Sequence, residues 1–318
     1  MTEAVRDDAG LYAKVETFFR ETFSTDNALI TEAVRRMLAA GGKRLRPRFA
    51  LLAAEACGAR ADDHLYLAAY MELIHVATLI HDDVVDNAAT RRGVNATAVD
   101  FGNRVSVLAG DYLFAWIFKN VTAGYAAPIP HILSATLADI CDGEVLQLRS
   151  LGTLDLPIET YVEVARKKTA SLFAASAQCG AIAGGGSSAQ IEALRAFGDL
   201  YGVAFQMKDD LLDMTADEKT LGKPVGNDLQ ERKMTIPLIL GLRDGDAELR
   251  GLVAHYYEGE GTATEVAAIL DGLGRAGAYE ATRAQIDAYT ARAKAALAPM
   301  GASDAKAELE RLADSLSA

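Results

Sequence analysis

Between residues 65 and 75 the chain reads Leu-Tyr-Leu-Ala-Ala-Tyr-Met-Glu-Leu-Ile-His, and apolar side chains cover most of the surface of a helix drawn through it. A helix that is apolar on nearly every side does not lie at a surface, so other elements must wrap it. The rest of the chain offers helices for that purpose. Helical periodicity runs through 103–123, 131–149, 158–183, 190–212, 236–242, 262–276 and 278–298. Gly, Pro and Asn/Asp clusters break it at 41–42, 93–102, 124–130, 184–188, 215–228 and 259–261. With only seven prolines and little strand-like alternation, the chain is expected to be all-α, a single domain over residues 1–318 with roughly ten or more helices.

The bulk numbers narrow the function. Half of the 318 residues are hydrophobic, enough for a large core. The net charge of −12 argues against a general nucleic-acid binder, though a local cationic pocket is compatible with it. Cys57, Cys141 and Cys179 form no CxxC pair, so neither a disulfide framework nor a zinc site is expected. The first fourteen residues are charged and lack an apolar stretch, and no run of about 20 strongly apolar residues occurs. No secretory signal and no transmembrane segment are therefore expected, and a cytoplasmic location fits. The uncharged stretch 170–186, rich in Ala, Ser and Gly, reads as a buried helix with close neighbours.

Two acidic clusters share one spacing: Asp82-Asp83-Val84-Val85-Asp86 and Asp209-Asp210-Leu211-Leu212-Asp213. On a helix, i and i+4 share a face, so Asp82 and Asp86 point together, as do Asp209 and Asp213, with Asp83 and Asp210 beside them. His75 lies two turns before Asp82 on the same face. Each cluster follows a strongly apolar stretch, where like charges repel and are poorly solvated. All-oxygen ligation calls for a hard cation, and Mg²⁺ is usually held by a few carboxylates together with substrate phosphates. A single DDxxD is a weak signal, since acidic triplets are common on surfaces. Two of identical spacing, each followed by basic residues, are a stronger one.

Those basic residues recur. Lys43, Arg44, Arg46 and Arg48 fall within six positions beside Gly41-Gly42, and Pro47 suits the first turn of a helix. Lys43 and Arg46 there can converge on a phosphate. Arg91-Arg92-Gly93 follows the first cluster, Lys167-Lys168-Thr169 sits in or near a helix, and Lys223-Pro224 and Arg232-Lys233 follow the second cluster. Any one of these alone is an ordinary solvated charge run; their alternation with carboxylates suggests shared binding of phosphates.

On these residues the chain resembles the trans-type (E-) polyprenyl diphosphate synthases, over about residues 41–237. The motifs are GGKRLRP at 41–47, LIHVATLIHDDVVDNAATRRG at 73–93, LAGDYL at 108–113, KTASLF at 168–173 and GVAFQMKDDLLD at 202–213, followed by LGKPVGNDLQERKMTIP. The resemblance implies the isoprenoid synthase type I fold around a deep central cavity, usually in a homodimer. It implies condensation of isopentenyl diphosphate with an allylic diphosphate such as geranyl or farnesyl diphosphate, assisted by Mg²⁺, with three ions per active site. By the same resemblance Asp82, Asp86 and Asp209 are direct metal ligands, and Asp83, Asp210 and Asp213 support them directly or through water. Arg91, Lys168, Thr169, Gln206 and Lys223 would hold the allylic diphosphate. Lys43, Arg46, His75 and Arg92 would hold isopentenyl diphosphate, and Lys233 is a further substrate-binding candidate.

Small residues before the first cluster, Ala77 and Thr78, with Ile74 a turn earlier, would leave room for a growing chain of about seven to ten isoprene units (C35–C50). A shorter C15–C20 product of the same family is the alternative. A class I terpene cyclase fits less well, because its second metal motif mixes Asn, Ser/Thr and Glu. A non-catalytic helical subunit fits less well too, because both aspartate clusters are present.

Overall fold

The protein is described here from a computed structural model, which describes residues 13–19, 23–216, 225–245, 247–259 and 261–317. Among these residues the only strands are the two of a short hairpin, β1 (Thr90–Arg91) and β2 (Val94–Asn95), and nearly everything else is helical. The expected all-α class is thus the observed one. No described helix is long and apolar enough to cross a membrane. The chain falls into two compact units.

The first unit comprises the described residues up to Ser134, with Ala175–Leu194 and Met300–Lys306. It contains α1 (Ala28–Ala39), α2 (Leu45–Ala56), α3 (Leu65–Val85), the hairpin, a short helix Thr97–Phe101 and α4 (Asn103–Gly124). Asn27 caps α1, its side chain accepting from Leu29 N at 3.1 Å and Ile30 N at 3.3 Å. α3 is the apolar helix anticipated above. Leu67, Met71, Leu73, Ile74, Val76, Ala77 and Ile80 are all fully buried, each large side chain contributing about 1.5–3 kcal/mol. α2 and α4 pack directly on it. The Gly-rich stretch behaves as expected: a Cβ at Gly180 or Gly184 would overlap the backbone of Ala50 or Ala54, so the helices touch main chain to main chain.

The second unit comprises Ala135–Ala174, Arg195–Pro299 and the described residues from Ala307 on. Its helices, some shared with the first unit, are α5 (Ile129–Ser150), α6 (Ile158–Ala165), α7 (Ser171–Ala183), α8 (Ser188–Thr215), α9 (Ile236–Asp244), α10 (Ala247–Glu258), α11 (Ala263–Arg275), α12 (Ala278–Ala296) and α13 (Asp304–Ser317). α9 is buried from Ile236 to Leu242 and packs on α11 and α12. Thr262 and Glu265 form a capping box at the start of α11. Between α6 and α7, residues Arg166–Ala170 form one π turn, so the periodicity read through 158–183 is interrupted once.

Candidate active site

The first acidic cluster closes α3. Asp86 N donates to Asp82 O at 2.8 Å, so Asp82 and Asp86 keep helical register and share a face. Asn87 then turns left-handed at φ 51°, and Ala88 N bonds Asp83 O at 3.0 Å, which ends the helix with a Schellman-type turn. The hairpin follows at once. Arg92 and Gly93 both have positive φ, as a two-residue turn of the right hand demands. This reversal brings Arg91 back onto α3, where its Nε donates to Asp83 Oδ1 at 2.7 Å.

Asp83 is fully buried, while Asp82 and Asp86 are half-buried. Burial pushes the Asp83 carboxyl above its ordinary pKa, and Arg91 and the Thr97 amide pull it back. Its Oδ2 has no hydrogen-bond partner. The middle aspartate of this cluster therefore holds Arg91 in place.

The same unit assembles the cations expected to bind the second diphosphate. Arg44 and Arg46 open α2, with Pro47 in its first turn as anticipated. Arg92 Nη1 bonds the Gly41 carbonyl, and a Cβ at Gly42 would lie 2.8 Å from the Arg92 guanidinium, so a side chain there would push the arginine away. His75, on α3, has a pKa well below the ordinary histidine value. Desolvation is the first cause, followed by the charges of Arg46, Arg92, Arg91 and Arg44. At neutral pH it is an uncharged imidazole among arginines. Lys43 is exposed beside this group.

The second cluster lies near the end of α8. Asp209 is exposed, Asp210 and Asp213 are buried. Asp210 accepts from Tyr161 OH at 2.6 Å, from Gln206 Nε2 at 2.8 Å and from Ile236 N at 3.4 Å. Its pKa is pushed up to about 6, by burial first and then by Asp209, against the pull of those donors. Gln206 in turn accepts from Thr169 Oγ1 at 2.7 Å. Thr169 and Lys168 belong to the π turn, and a Cβ at Gly143 of α5 would clash with Lys168 N, so a glycine lets this turn approach. Lys168 pairs with Glu144 and donates to Gln147 Oε1 at 2.9 Å. Asp213 accepts from Asp228 N at 3.0 Å, which ties the returning chain to α8. Lys233 pairs with Glu231. Lys223 lies outside the described residues.

The anticipated residues thus gather into two groups, each within one unit: Asp82, Asp83, Asp86, His75, Arg46, Arg91 and Arg92 in the first, and Lys168, Thr169, Gln206, Asp209, Asp210 and Asp213 in the second. Among the described residues, no three His, Cys, Asp or Glu side chains are drawn together as a metal cluster. The donor set still fits Mg²⁺. Two carboxylates one turn apart, all-oxygen, leave coordination positions for phosphate and water, which that ion prefers to keep. Sequence reasoning missed two residues. Tyr161, buried, gave no signal. Glu72, a single acid in the apolar run of α3, was a visible one, because a buried carboxylate demands a partner. That partner is Arg44, whose Nη1 lies 2.9 Å from Glu72 Oε1.

With this geometry in place, similarity to known proteins decides the family. The polyprenyl synthetase family profile matches residues 27–273. The chain belongs to the polyprenyl synthetase family. It is 37% identical over 292 residues to the octaprenyl diphosphate synthase of Escherichia coli (strain K12), covering 92% of this chain and 89% of that protein. It is 38% identical over 290 residues to a short chain isoprenyl diphosphate synthase of Methanothermobacter thermautotrophicus, covering 90% of this chain and 89% of that one. Its fold matches a polyprenyl synthase from Caulobacter crescentus CB15 complexed with calcium and isoprenyl diphosphate, with TM-score 0.92, 38% identity, and coverage of 97% and 94%. A polyprenyl synthetase is a prenyltransferase, so this chain is an enzyme of the trans-polyprenyl diphosphate synthase class, as its motifs implied.

Proposed function

We propose that the enzyme condenses isopentenyl diphosphate with an allylic diphosphate, such as geranyl or farnesyl diphosphate, releasing diphosphate and lengthening a trans-polyprenyl chain. The observation that carries this is the cationic group around neutral His75. It is built from α2, α3 and the hairpin, beside a carboxylate pair rather than in place of it. One anion site suffices for ionising a single diphosphate; joining two diphosphates needs another.

In this reading Asp82, Asp86 and Asp209 hold Mg²⁺, three ions per site, with Asp83, Asp210 and Asp213 in support. Bound Mg²⁺ supplies Lewis-acid stabilisation of the departing diphosphate. Lys168, Thr169, Gln206, Arg91 and Lys223 bind the allylic diphosphate and keep its leaving oxygens oriented as negative charge grows on them. Lys43, Arg46, His75 and Arg92 fix the second substrate, and Lys233 is a further substrate-binding residue. His75 does so as a neutral hydrogen-bonding group, since its pKa lies well below the usual range. Apolar walls exclude water from the allylic cation. The test is the purified chain with radiolabelled isopentenyl diphosphate, farnesyl diphosphate and Mg²⁺. Label is expected in a longer prenyl product. No incorporation by the chain alone would overturn the reading in favour of a subunit that needs a catalytic partner.

We read the product as long, about C35–C50, supported by small residues before Asp82 and by the octaprenyl relative. Ile74 and Ala77 are fully covered by protein, whereas Thr78 is half-exposed, its Oγ1 donating to His75 O at 2.8 Å. This exposure supports Thr78, with Ala77 and Ile74 behind it, as the side that meets a growing chain. Thr78→Phe and Ala77→Phe should both shorten the product by mass spectrometry, with Ala77→Phe also losing stability through overpacking. An unchanged length distribution in both sinks the assignment, and a C15–C20 wild-type product favours the short-chain alternative. A homodimer is proposed too. Val107, Leu108 and Tyr112 of α4 are 40%, 59% and 39% exposed, an apolar strip that suits a second copy. A cytoplasmic location completes the reading.

A further inference from the structure

We infer that Arg44 and Glu72 form a buried positioning pair that sets the isopentenyl diphosphate pocket, and that Arg44 is not itself a phosphate ligand. In the sequence Arg44 stands between Lys43 and Arg46, the two cations expected to converge on a phosphate, and has no role assigned to it. The fold separates them. Arg44 is only 6% exposed and its backbone is left-handed, φ 48°. That conformation is unfavourable for a residue with a Cβ and turns its side chain inward, away from the course of the chain.

Each of its three guanidinium nitrogens has a partner. Nη1 meets Glu72 Oε1 at 2.9 Å, Nε meets Glu16 Oε1 at 2.6 Å, and Nη2 donates to the Leu38 carbonyl at 2.9 Å. The Phe19 ring lies under it, 5.3 Å from centroid to Cζ. Burial weighs against its charge, yet the two carboxylates outweigh burial and hold its pKa above the ordinary value. With three of its five N–H donors engaged inside the protein and the residue 6% exposed, this fork faces protein groups rather than a substrate.

Glu72 has the complementary role. It is 2% exposed and sits one turn before His75 on α3. Its charge is felt by Arg92, opposing the repulsion that Arg92 receives from Arg44 and Arg91. When no diphosphate is bound, the arginines about His75 repel one another. The fixed Glu72 carboxylate counters that repulsion and keeps Arg92 against Gly41–Gly42. The pair therefore acts on ground-state binding of one substrate, and it does so at a distance from the carbon–carbon bond being formed.

This rests on the reading of the cationic group as the isopentenyl diphosphate site, and the test separates the two. Arg44→Met with Glu72→Leu replaces the pair by apolar volume and orphans no buried charge. A folded double variant should raise KM for isopentenyl diphosphate about tenfold, a change of about 1.4 kcal/mol in binding. KM for farnesyl diphosphate and kcat should stay within about twofold, well inside the same scale. Unchanged KM for isopentenyl diphosphate in that folded variant overturns the proposal and leaves the pair a purely structural one. If the double variant does not fold, Arg44→Lys keeps the charge and loses the fork; the same selective rise is expected, and its absence overturns the proposal equally. Arg46→Gln is the control on the underlying reading: if it too leaves KM for isopentenyl diphosphate unchanged, the pocket has been misassigned, whatever Arg44 does.

Discussion

The two aspartate clusters have one spacing and opposite surroundings. In both, the middle residue turns inward: Asp83 is fully buried and Asp210 nearly so. Asp83 meets a cation, Arg91, delivered by a hairpin. Asp210 meets only neutral donors, Tyr161, Gln206 and the Ile236 amide. The last aspartate differs too. Asp86 is the half-buried cap of α3, while Asp213 lies inside α8 and binds the Asp228 amide. A motif of five residues therefore fixes which carboxylates share a helix face, but not what neutralises the one that points in.

That contrast can be broken at its strongest point first. Asp82→Ala removes a half-buried carboxylate and Asp209→Ala an exposed one. Each should lower kcat by about 10²–10³-fold, measured by label incorporation at saturating Mg²⁺, with little change in melting temperature. If either variant keeps near wild-type turnover, its cluster is not a metal site. Next come the inner pair. Asp83→Asn leaves the Arg91 guanidinium without its counter-charge and should cost about 1–3 kcal/mol by denaturant unfolding. Asp210→Asn should cost less above pH 6, because the carboxyl it replaces is already pushed up to about 6 by burial and is strained when ionised. Equal losses for the two would erase the distinction between charged and neutral surroundings.

A smaller effect sharpens the cationic side. His75 has a folded-state pKa below its unfolded value of 6.5, so the unfolded chain takes the extra proton first. Its contribution makes stability fall as pH drops below about 6.5 and leaves stability flat above it. Melting temperature should therefore drop more between pH 7.5 and pH 5.5 in the wild type than in His75→Gln. A parallel drop in both would mean that His75 is not held neutral. Tyr161→Phe probes the neutral side, with an expected loss of about 1–2 kcal/mol and a weaker Mg²⁺ response, since Asp210 loses its shortest hydrogen bond.

Much of this arrangement could be read in advance. The long helices follow from their periodicity, and the carboxylates from their spacing and the apolar runs before them. Helices α1, α10 and α13 went unread because their polar faces dilute the pattern, α13 above all. The hairpin, straddling the start of the break at 93–102, went unread because it needs Arg92 at φ 52°, a conformation the residue type does not advertise. The inward role of Arg44 was not legible, because charge is visible in a sequence and burial is not. Gln206 and Thr169 were placed by resemblance alone. Their direct bond, and the Tyr161 hydroxyl beyond Asp210, come from helices 37 and 49 positions apart in the chain, a separation no local pattern spans.

The π turn at Arg166–Ala170 is, in effect, a helix carrying one residue too many. An α-helix advances about 100° per residue, so a single extra residue resets the phase of all that follows. Deleting one residue there would let the backbone relax into an unbroken α-helix, intrinsically the better-bonded state. It would also swing Lys168 and Thr169 about a quarter of a turn away from Gln147 and Gln206. A shortened variant would then be a sounder helix and a poorer enzyme, its aim lost in exchange for regularity.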